Sequence, residues 1–177
     1  MNRRLAEGFS ADITRTEHPA VRAVVALGAN LGDRAATLDA AISELERLPL
    51  VDAVRASAAV ESVAVKPDGP DADAPAYLNA VAILTTRLAP SVLLAFLQAI
   101  EARHGRERRE RWGDRTLDLD LIAYGEVVSS DAVLTLPHPR AAERDFVLVP
   151  WLSIDPDAEL PGRGRVDELI ARLGDAP

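Results

Sequence analysis

The sequence predicts an α+β fold in which an antiparallel sheet is covered by helices. Short apolar runs typical of strands alternate with two longer segments in which apolar residues recur at helical spacing, and turn residues separate them. The chain has 177 residues, of which 48% are hydrophobic and 27% charged, as in a folded domain. We expect a single domain over residues 20–177 after a poorly structured extension over residues 1–19.

The first half of the chain is predicted to form a β-α-β-β unit. A β-branched apolar run over residues 21–27 predicts a buried strand that ends at Gly28. Apolar residues then recur at helical spacing as far as Leu48, with Asp33 as the N-cap. The remaining predicted elements of this half are a strand over about 51–65, a Pro/Asp/Gly-rich loop over 66–75 and a strand over 77–86.

The second half adds a helix and a strand. Pro90 favours the first turn of a helix that ends at about Arg103, before Gly105. Leu117–Leu121 alternates apolar and acidic residues, which is the period of a strand with one apolar face. The other predicted elements are a tight turn at Gly125–Glu126 into Val127–Val128, an apolar segment from Phe146 to Ile154 and a short helix from Val166 to Leu173.

The predicted order β-α-β-β-α-β is the ferredoxin-like pattern. In that pattern an antiparallel sheet carries both helices on one face. The additional C-terminal elements are expected to extend or cover the sheet, which gives an α/β/α sandwich.

Composition excludes several classes of function. A net charge of −8 argues against non-specific binding to nucleic acid or to an anionic membrane surface. The absence of cysteine excludes disulfides and thiolate metal sites. No apolar run approaches the ~20 residues of a transmembrane helix, and the first residues lack a secretory signal, so we expect a cytoplasmic protein.

Asp118 and Asp120 form the most informative feature. They project from one face of the predicted strand with Cα atoms roughly 6.5 Å apart, so their carboxylates repel unless a positive charge lies between them. A metal-binding acid pair beside an anion clamp is typical of phosphoryl transfer with Mg²⁺. Taken alone, the acids could also be the solvated face of an amphipathic strand. The arginines near the pair are Arg103, Arg106, Arg108, Arg109, Arg111 and Arg115.

Three further residues are functional candidates. Trp112 offers a flat apolar surface for a nucleobase, and His138 is held between two prolines near Arg140 and Arg144. Asn79 interrupts an apolar strand and needs hydrogen-bond partners if it is buried. The segment from Gly28 to Gly32 lacks the residues of either nucleotide-binding glycine motif, so we interpret it as a strand-to-helix turn.

Residues Arg111–Asp120 closely resemble the signature of the 6-hydroxymethyl-7,8-dihydropterin pyrophosphokinase family. The resemblance covers roughly residues 21–161. It extends to Ala26–Asp33, Tyr77–Ala80, Leu136–Arg140 and Arg144–Phe146.

The resemblance implies a ferredoxin-like α/β/α domain that transfers pyrophosphate from MgATP to the hydroxymethyl group of 6-hydroxymethyl-7,8-dihydropterin. AMP is released, and the reaction belongs to folate biosynthesis. It also implies that Asp118 and Asp120 bind two Mg²⁺ ions that bridge the triphosphate of the co-substrate ATP. The expected partners are the two small-molecule substrates, without nucleic acid or membrane, and the expected state is a monomer.

The resemblance assigns residues to three groups. The catalytic group is Arg106, Arg108, Arg115, Asp118 and Asp120. The ATP-binding group is Gln98, Glu101, Arg111, Trp112, Thr135, His138 and Arg144. The pterin-binding group is Ser62, Val63, Val65, Tyr77, Asn79 and Phe146.

Two other functions remain open on the residues alone. A metal-dependent phosphodiesterase would use the same acids with water as nucleophile. A non-catalytic ferredoxin-like binding module would leave the acids merely solvated.

Overall fold

The computed structural model describes residues 19–66, 69–71, 75–105 and 116–174, so nearly all of the predicted extension over residues 1–19 lies outside it. Its strands are β1 (Val21–Ala29), β2 (Val51–Ala56), β3 (Val60–Ser62), β4 (Ala64–Lys66), β5 (Gly69–Asp71), β6 (Tyr77–Thr86), β7 (Asp118–Tyr124), β8 (Ser129–Ser130), β9 (Thr135–Leu136), β10 (Glu159–Leu160) and β11 (Gly164–Arg165). Its helices are α1 (Arg34–Glu46), α2 (Pro90–Arg103), α3 (Asp145–Ile154) and α4 (Val166–Gly174), with a 3₁₀ turn at Ala141–Glu143.

The main sheet confirms the predicted antiparallel ferredoxin-like core. Its strand order is β2-β6-β1-β7, and β3 pairs with β6 as the fifth strand. Every pairing in it is antiparallel. β1 is central, between β6 and β7, so residues of β1 contact both neighbours along their whole shared length.

Helices cover both faces of this sheet, as the predicted α/β/α sandwich requires. Val25 and Leu27 of β1 belong to a core formed with apolar residues of α1 and α2. Val24 belongs to a second core, formed with residues of α3 and α4. Because successive side chains of a strand point to opposite faces, one apolar strand serves both layers.

A β-bulge at Ile122 interrupts β7. Leu121 pairs with Val25 and Ala123 pairs with Val24, so Ile122 is the extra residue between them. Before the bulge, Leu119 and Leu121 face the α1/α2 core. Asp118 and Asp120 consequently point toward the opposite face, the one that carries α3.

The predicted helix determinants are confirmed. The Asp33 side chain accepts a hydrogen bond from the Ala36 amide at 3.1 Å, which caps α1. Pro90 stands at the start of α2. The buried apolar residues are Leu38, Ala41 and Leu45 on α1, and Leu93, Leu97 and Ile100 on α2.

Two predicted strand boundaries in the first half are wrong. Gly28 does not end β1, because its backbone pairs with Asn79 of β6 and Asp118 of β7 and the ladder continues to Ala29. The single strand predicted over 51–65 is three strands. It breaks at Ser57, whose amide donates to the Val81 carbonyl and whose hydroxyl accepts from the Val81 amide, which replaces regular pairing.

Two predicted loops also differ from the structure. The segment predicted as a loop over 66–75 contains β5, which pairs with β4 in a short hairpin. Gly125–Glu126 does form the predicted turn, with Gly125 at a φ of 48°. The residues that pair after it are Ser129–Ser130 rather than Val127–Val128, because the Val127 amide closes the turn onto the Tyr124 carbonyl.

None of the helices in the described part of the chain has the length and apolarity to span a membrane.

Replacing the N-cap of α1 is expected to destabilise the fold. Asp33→Ala removes the acceptor for the Ala36 amide, and the free energy of unfolding should fall by about 1 kcal/mol. Asp39→Ala is the matched control, because Asp39 is an exposed acid in the middle of the same helix. Urea unfolding of both variants measures the difference, and equal losses would contradict the capping role.

Candidate functional site

A cleft of about 400 Å³ opens on the α3 side of the sheet. It lies where β1, β3, β6 and β7 meet the segment between His138 and Val147. Its lining residues are Ala26, Leu27, Gly28, Ser62, Val63, Tyr77, Asn79, Asp118, Asp120, His138, Pro139, Arg140, Glu143, Arg144, Phe146 and Val147.

The floor of the cleft is built from small residues on β1. Gly28 is the cross-strand partner of Asp118, and Ala26 is the partner of Asp120. Cross-strand partners share a face of the sheet, so the two carboxylates stand beside side chains too small to fill the space. A Cβ atom at Gly28 would lie 3.3 Å from the Asn79 Oδ1 atom, so a larger residue there would crowd the cleft.

Positive charge lies directly beside the acid pair, as the repulsion argument predicts. Arg144 donates to Asp120 Oδ2 at 3.0 Å, with the two side chains 19% and 32% exposed. The guanidinium carbon of Arg144 is also 5.7 Å from the centre of the Phe146 ring. Asp120 is therefore partly neutralised by a cation that an aromatic ring holds in place.

His138 supplies a neutral donor at the same place. Its backbone amide donates to the carbonyl of the bulge residue Ile122 at 2.8 Å, which fixes the loop to β7. Its ring Nδ1 accepts from the Arg140 amide at 3.2 Å, so the proton of the neutral ring lies on Nε2, 3.9 Å from Asp120. Burial, together with Arg144 and Arg140, lowers the pKa of His138, whereas Asp120 opposes that shift.

The cleft is also lined by an amide side chain and two aromatic residues. Asn79 is only 6% exposed, and its Nδ2 donates to Ser62 Oγ at 2.8 Å. This confirms that the asparagine of an apolar strand has a partner. Tyr77 and Phe146 line the cleft from β6 and α3, and both are half-buried.

A salt bridge outside the cleft supports the wall that Ser62 of β3 and Tyr77 of β6 form. Arg34, the first residue of α1, donates to the Ala76 carbonyl at 2.7 Å and to Glu61 at 2.8 Å. Ala76 and Glu61 immediately precede Tyr77 and Ser62, which are paired across β6 and β3. One guanidinium therefore ties together the two strands that carry the wall.

The acid pair has the chemistry of a site for a hard divalent cation. Asp118 and Asp120 offer carboxylate oxygens, which Mg²⁺ prefers. Within the described ranges, no three histidine, aspartate or glutamate side chains come together as a complete metal site. A cation held here would take its remaining ligands from water or from phosphate oxygens, which is how Mg²⁺ is commonly bound.

The structure brings together nine of the predicted site residues. They are Ser62, Val63, Tyr77, Asn79, Asp118, Asp120, His138, Arg144 and Phe146. Arg106, Arg108, Arg111, Trp112 and Arg115 lie outside the described residues, and Val65 lies on β4, opposite Pro70.

Three predicted ATP-site residues do not line this cleft. Gln98 is exposed on α2. Thr135 is exposed on β9, and its hydroxyl donates to the Asp131 carbonyl at 3.1 Å. Glu101 is buried, and its Oε1 accepts from the Leu119 amide at 2.8 Å.

Sequence reasoning missed several residues that shape the site. Pro139 and Glu143 line the cleft, but nothing in their local pattern distinguishes them from surface residues. Val147 lies in the predicted apolar segment from Phe146 to Ile154, which indicated a core residue but not a place in the cleft. Ala26 and Gly28 had a usable signal, because small residues alternate with bulky ones in that apolar strand. The role of Arg34 depends on contacts with strands distant in the chain, so no local pattern indicated it.

Comparisons with known proteins agree on one family. The family model described as 7,8-dihydro-6-hydroxymethylpterin-pyrophosphokinase (HPPK) matches residues 24–156. The 2-amino-4-hydroxy-6-hydroxymethyldihydropteridine pyrophosphokinase of Haemophilus influenzae is 41% identical over 155 residues, which cover 88% of this chain and 94% of that protein. The enzyme of the same name from Pseudomonas aeruginosa is 44% identical over 150 residues, covering 85% and 90%.

Solved structures show the same fold. An HPPK-DHPS crystal structure in complex with substrates aligns with a TM-score of 0.67 at 10% identity, over 89% of this chain and 44% of the other. A Plasmodium falciparum HPPK-DHPS chain aligns with a TM-score of 0.65 at 12% identity, over 89% and 46%. This chain thus spans less than half of those longer chains, and the likeness at this identity concerns the fold.

The pKa of His138 offers a direct check of the cleft's electrostatics. We expect the imidazole to titrate below its ordinary value, because burial and two arginines disfavour the cation. Asp120→Asn should lower the pKa of His138 further, since the Asp120 carboxylate is the largest influence that raises it. NMR titration of the His138 ring protons in the wild type and in Asp120→Asn measures both values. A rise in the pKa in Asp120→Asn would contradict this arrangement.

Proposed function

The chain belongs to the 7,8-dihydro-6-hydroxymethylpterin-pyrophosphokinase family, and we propose that the cleft between Asp120 and Asn79 is where its reaction takes place. The reaction of this family is the transfer of pyrophosphate from ATP to hydroxymethyldihydropterin in folate biosynthesis. We assign the contacts with Mg²⁺, ATP and pterin to residues of this cleft and of the segments beside it.

The observation that carries the proposal is the polarity of the cleft. One end combines two carboxylates with Arg144 and a neutral histidine, which suits a metal-bound polyphosphate. Asn79 and Tyr77 line the cleft from β6 and Phe146 lines it from α3, and these three side chains suit a flat heterocycle with an amide-like edge. A single cleft of this kind brings a phosphate donor and a pterin alcohol together.

Asp118 and Asp120 are proposed to bind two Mg²⁺ ions together with the triphosphate. When bound there, Mg²⁺ would neutralise the negative charge that develops on the phosphate oxygens. Arg144 lies close enough to Asp120 to contact the same phosphates, and the neutral ring of His138 offers its Nε2 proton as a donor. Two anionic and two donor groups thus meet within one small region.

Asn79 is proposed to recognise the pterin. Its Nδ2 is engaged by Ser62, which holds the amide plane in a fixed orientation. Its Oδ1 lies against Gly28, the residue whose missing side chain keeps that part of the floor open. Tyr77 and Phe146 would pack on the ring, and Val63 with the backbone near Val65 would form its outer edge.

The chemical step is an in-line displacement. The hydroxymethyl oxygen of the pterin forms a bond to the β-phosphorus of ATP, while the bond from that phosphorus to the oxygen bridging the α-phosphate breaks. AMP leaves with that oxygen, and the hydroxyl proton passes to solvent or to a phosphate oxygen. Positioning and electrostatic stabilisation supply the rate enhancement, so no side-chain base is assigned.

The remaining site residues complete the ATP side of the proposal. Arg106, Arg108, Arg111 and Arg115 follow α2 in the sequence and are proposed to contact phosphates, with Trp112 against the adenine. Gln98 and Thr135 are proposed to contact ATP from outside the cleft. We also propose that the protein acts as a cytoplasmic monomer.

Removing either carboxylate is expected to abolish turnover without unfolding the protein. Asp118→Asn and Asp120→Asn keep the side-chain size but lose the charge that binds Mg²⁺, so turnover should fall by roughly a thousandfold or more. The measurement is AMP release from ATP with hydroxymethyldihydropterin, with circular dichroism as the test of folding. Glu126→Gln, an exposed acid just after β7, is the matched control. Turnover near that of the wild type in either variant would refute the metal assignment.

The pterin end makes a separate prediction. Asn79→Leu keeps the side-chain size but removes the amide, so hydroxymethyldihydropterin should bind roughly ten- to hundredfold more weakly, the equivalent of about 1–3 kcal/mol. MgATP binding should change by less than about twofold. Calorimetry measures both affinities, and Thr85→Ala, at the distant end of β6, is the control. Unchanged pterin affinity would remove Asn79 from the site.

The same assay separates the two other functions. A phosphodiesterase would cleave ATP without the pterin, because water would be its nucleophile. A binding module would bind MgATP and release no AMP at all. AMP release that requires hydroxymethyldihydropterin supports the pyrophosphokinase alone.

A further inference from the structure

Glu101 is a carboxylate in the middle of an apolar core. It lies on α2, one turn after Leu97, and only 2% of its surface is exposed. Leu97 and Ile100, which flank it on the helix, are fully buried. Burying a carboxylate costs free energy unless strong hydrogen bonds compensate for the lost water. A leucine in the core would avoid that cost, so the presence of a carboxylate at this position needs an explanation.

The contact of Glu101 with β7 provides this explanation. Glu101 Oε1 accepts a hydrogen bond from the backbone amide of Leu119 at 2.8 Å. In the part of the chain that the structure describes, β7 pairs with β1 alone and is an edge strand of the main sheet. Half of the amides of an edge strand point away from its neighbouring strand. Where such an amide is buried, it needs a side-chain acceptor.

The position of this amide matters more than its burial. Leu119 is the residue between Asp118 and Asp120, and its side chain points toward α2 while the two carboxylates point into the cleft. Glu101 therefore acts on the strand from the side opposite the cleft, and it is not among the residues that line the cleft. Fixing the Leu119 amide fixes the peptide unit that joins Asp118 to Leu119, and Asp120 follows directly after Leu119 on the same strand.

We propose that Glu101 is a positioning residue for the acid pair. It accepts the Leu119 amide and thereby holds Asp118 and Asp120 at the spacing that a divalent cation requires. The inference rests on the proposed metal role of these two residues. It replaces the expectation that Glu101 contacts ATP with a contact through the strand, and it resembles the outer-shell partners that orient metal ligands in other proteins.

The test compares two substitutions at one position. Glu101→Met removes the acceptor and keeps the volume, whereas Glu101→Gln keeps an acceptor oxygen. Glu101→Met should raise the Mg²⁺ concentration for half-maximal activity by roughly tenfold, since loss of an outer-shell partner costs about 10- to 100-fold in metal affinity. Pterin affinity should stay within about twofold. Glu101→Gln should recover most of the Mg²⁺ response.

A second readout is independent of activity. Leu119 amide exchange, followed by NMR, should be slow in the wild type and accelerate by roughly tenfold or more in Glu101→Met, which corresponds to about 1.4 kcal/mol. Thr86→Val is the matched control. Thr86 is fully buried and its hydroxyl bonds the Leu50 carbonyl and the Leu88 amide, far from the cleft. That variant should lose stability without a change in the Mg²⁺ response.

Several results would overturn the proposal. One is an unchanged Mg²⁺ midpoint and Leu119 exchange rate in Glu101→Met. Another is a raised KM for ATP at saturating Mg²⁺ with both other quantities unchanged, which would indicate direct contact with ATP. A loss in Glu101→Gln equal to that in Glu101→Met would also overturn it.

If Glu101→Met does not fold, fast exchange of the Leu119 amide in the wild type still contradicts the hydrogen bond. If Glu101→Met behaves as wild type while Asp118→Asn is inactive, only this inference fails. If Asp118→Asn and Asp120→Asn both remain active, the proposed function fails with it.

Discussion

Two carboxylates on one face of one strand repel each other, and the arrangement of the cleft follows from the need to hold them together. Asp120 is offset by Arg144 at 3.0 Å, and Arg144 in turn lies against Phe146. The neutral state of His138 fits the same constraint, because a second cation beside Arg144 would be disfavoured by burial and by charge. The cleft thus keeps a local excess of negative charge that a metal ion can satisfy.

The three layers contribute differently to this cleft. The α3 layer supplies Arg144 and Phe146, which face the acids and the open space. The sheet supplies Ala26 and Gly28, whose small size leaves that space open. The α2 layer touches none of it directly but meets the acid strand from behind at Leu119. In the proposed site, the groups that face the substrate and the group that orients them therefore lie on opposite sides of the sheet.

The sequence predicts the regular parts of this fold well and its long-range contacts poorly. β6 and α2 match their predicted bounds because their patterns are local, a run of apolar residues and a proline at a helix start. Gly28 was predicted to end a strand because glycine is locally a breaker, yet pairing on both sides carries the strand past it. The break of the long predicted strand at Ser57 likewise depends on Val81, a residue from another strand.

The site shows the same division. Asp118 and Asp120 were predictable because a two-residue period fixes their shared face without knowledge of any partner. The roles of Glu101 and Arg34 were not, since each depends on which backbone groups the fold brings to its side chain.

An edge strand allows a side chain of another element to hydrogen-bond its backbone. A central strand has both rows of amides and carbonyls occupied by its neighbours. Among the described residues, β7 pairs on one side only, which leaves its other row accessible to a side chain from α2. Placing the acid pair on the edge thus allows a helix to control its geometry from the far side of the sheet, while the cleft side stays open to substrate.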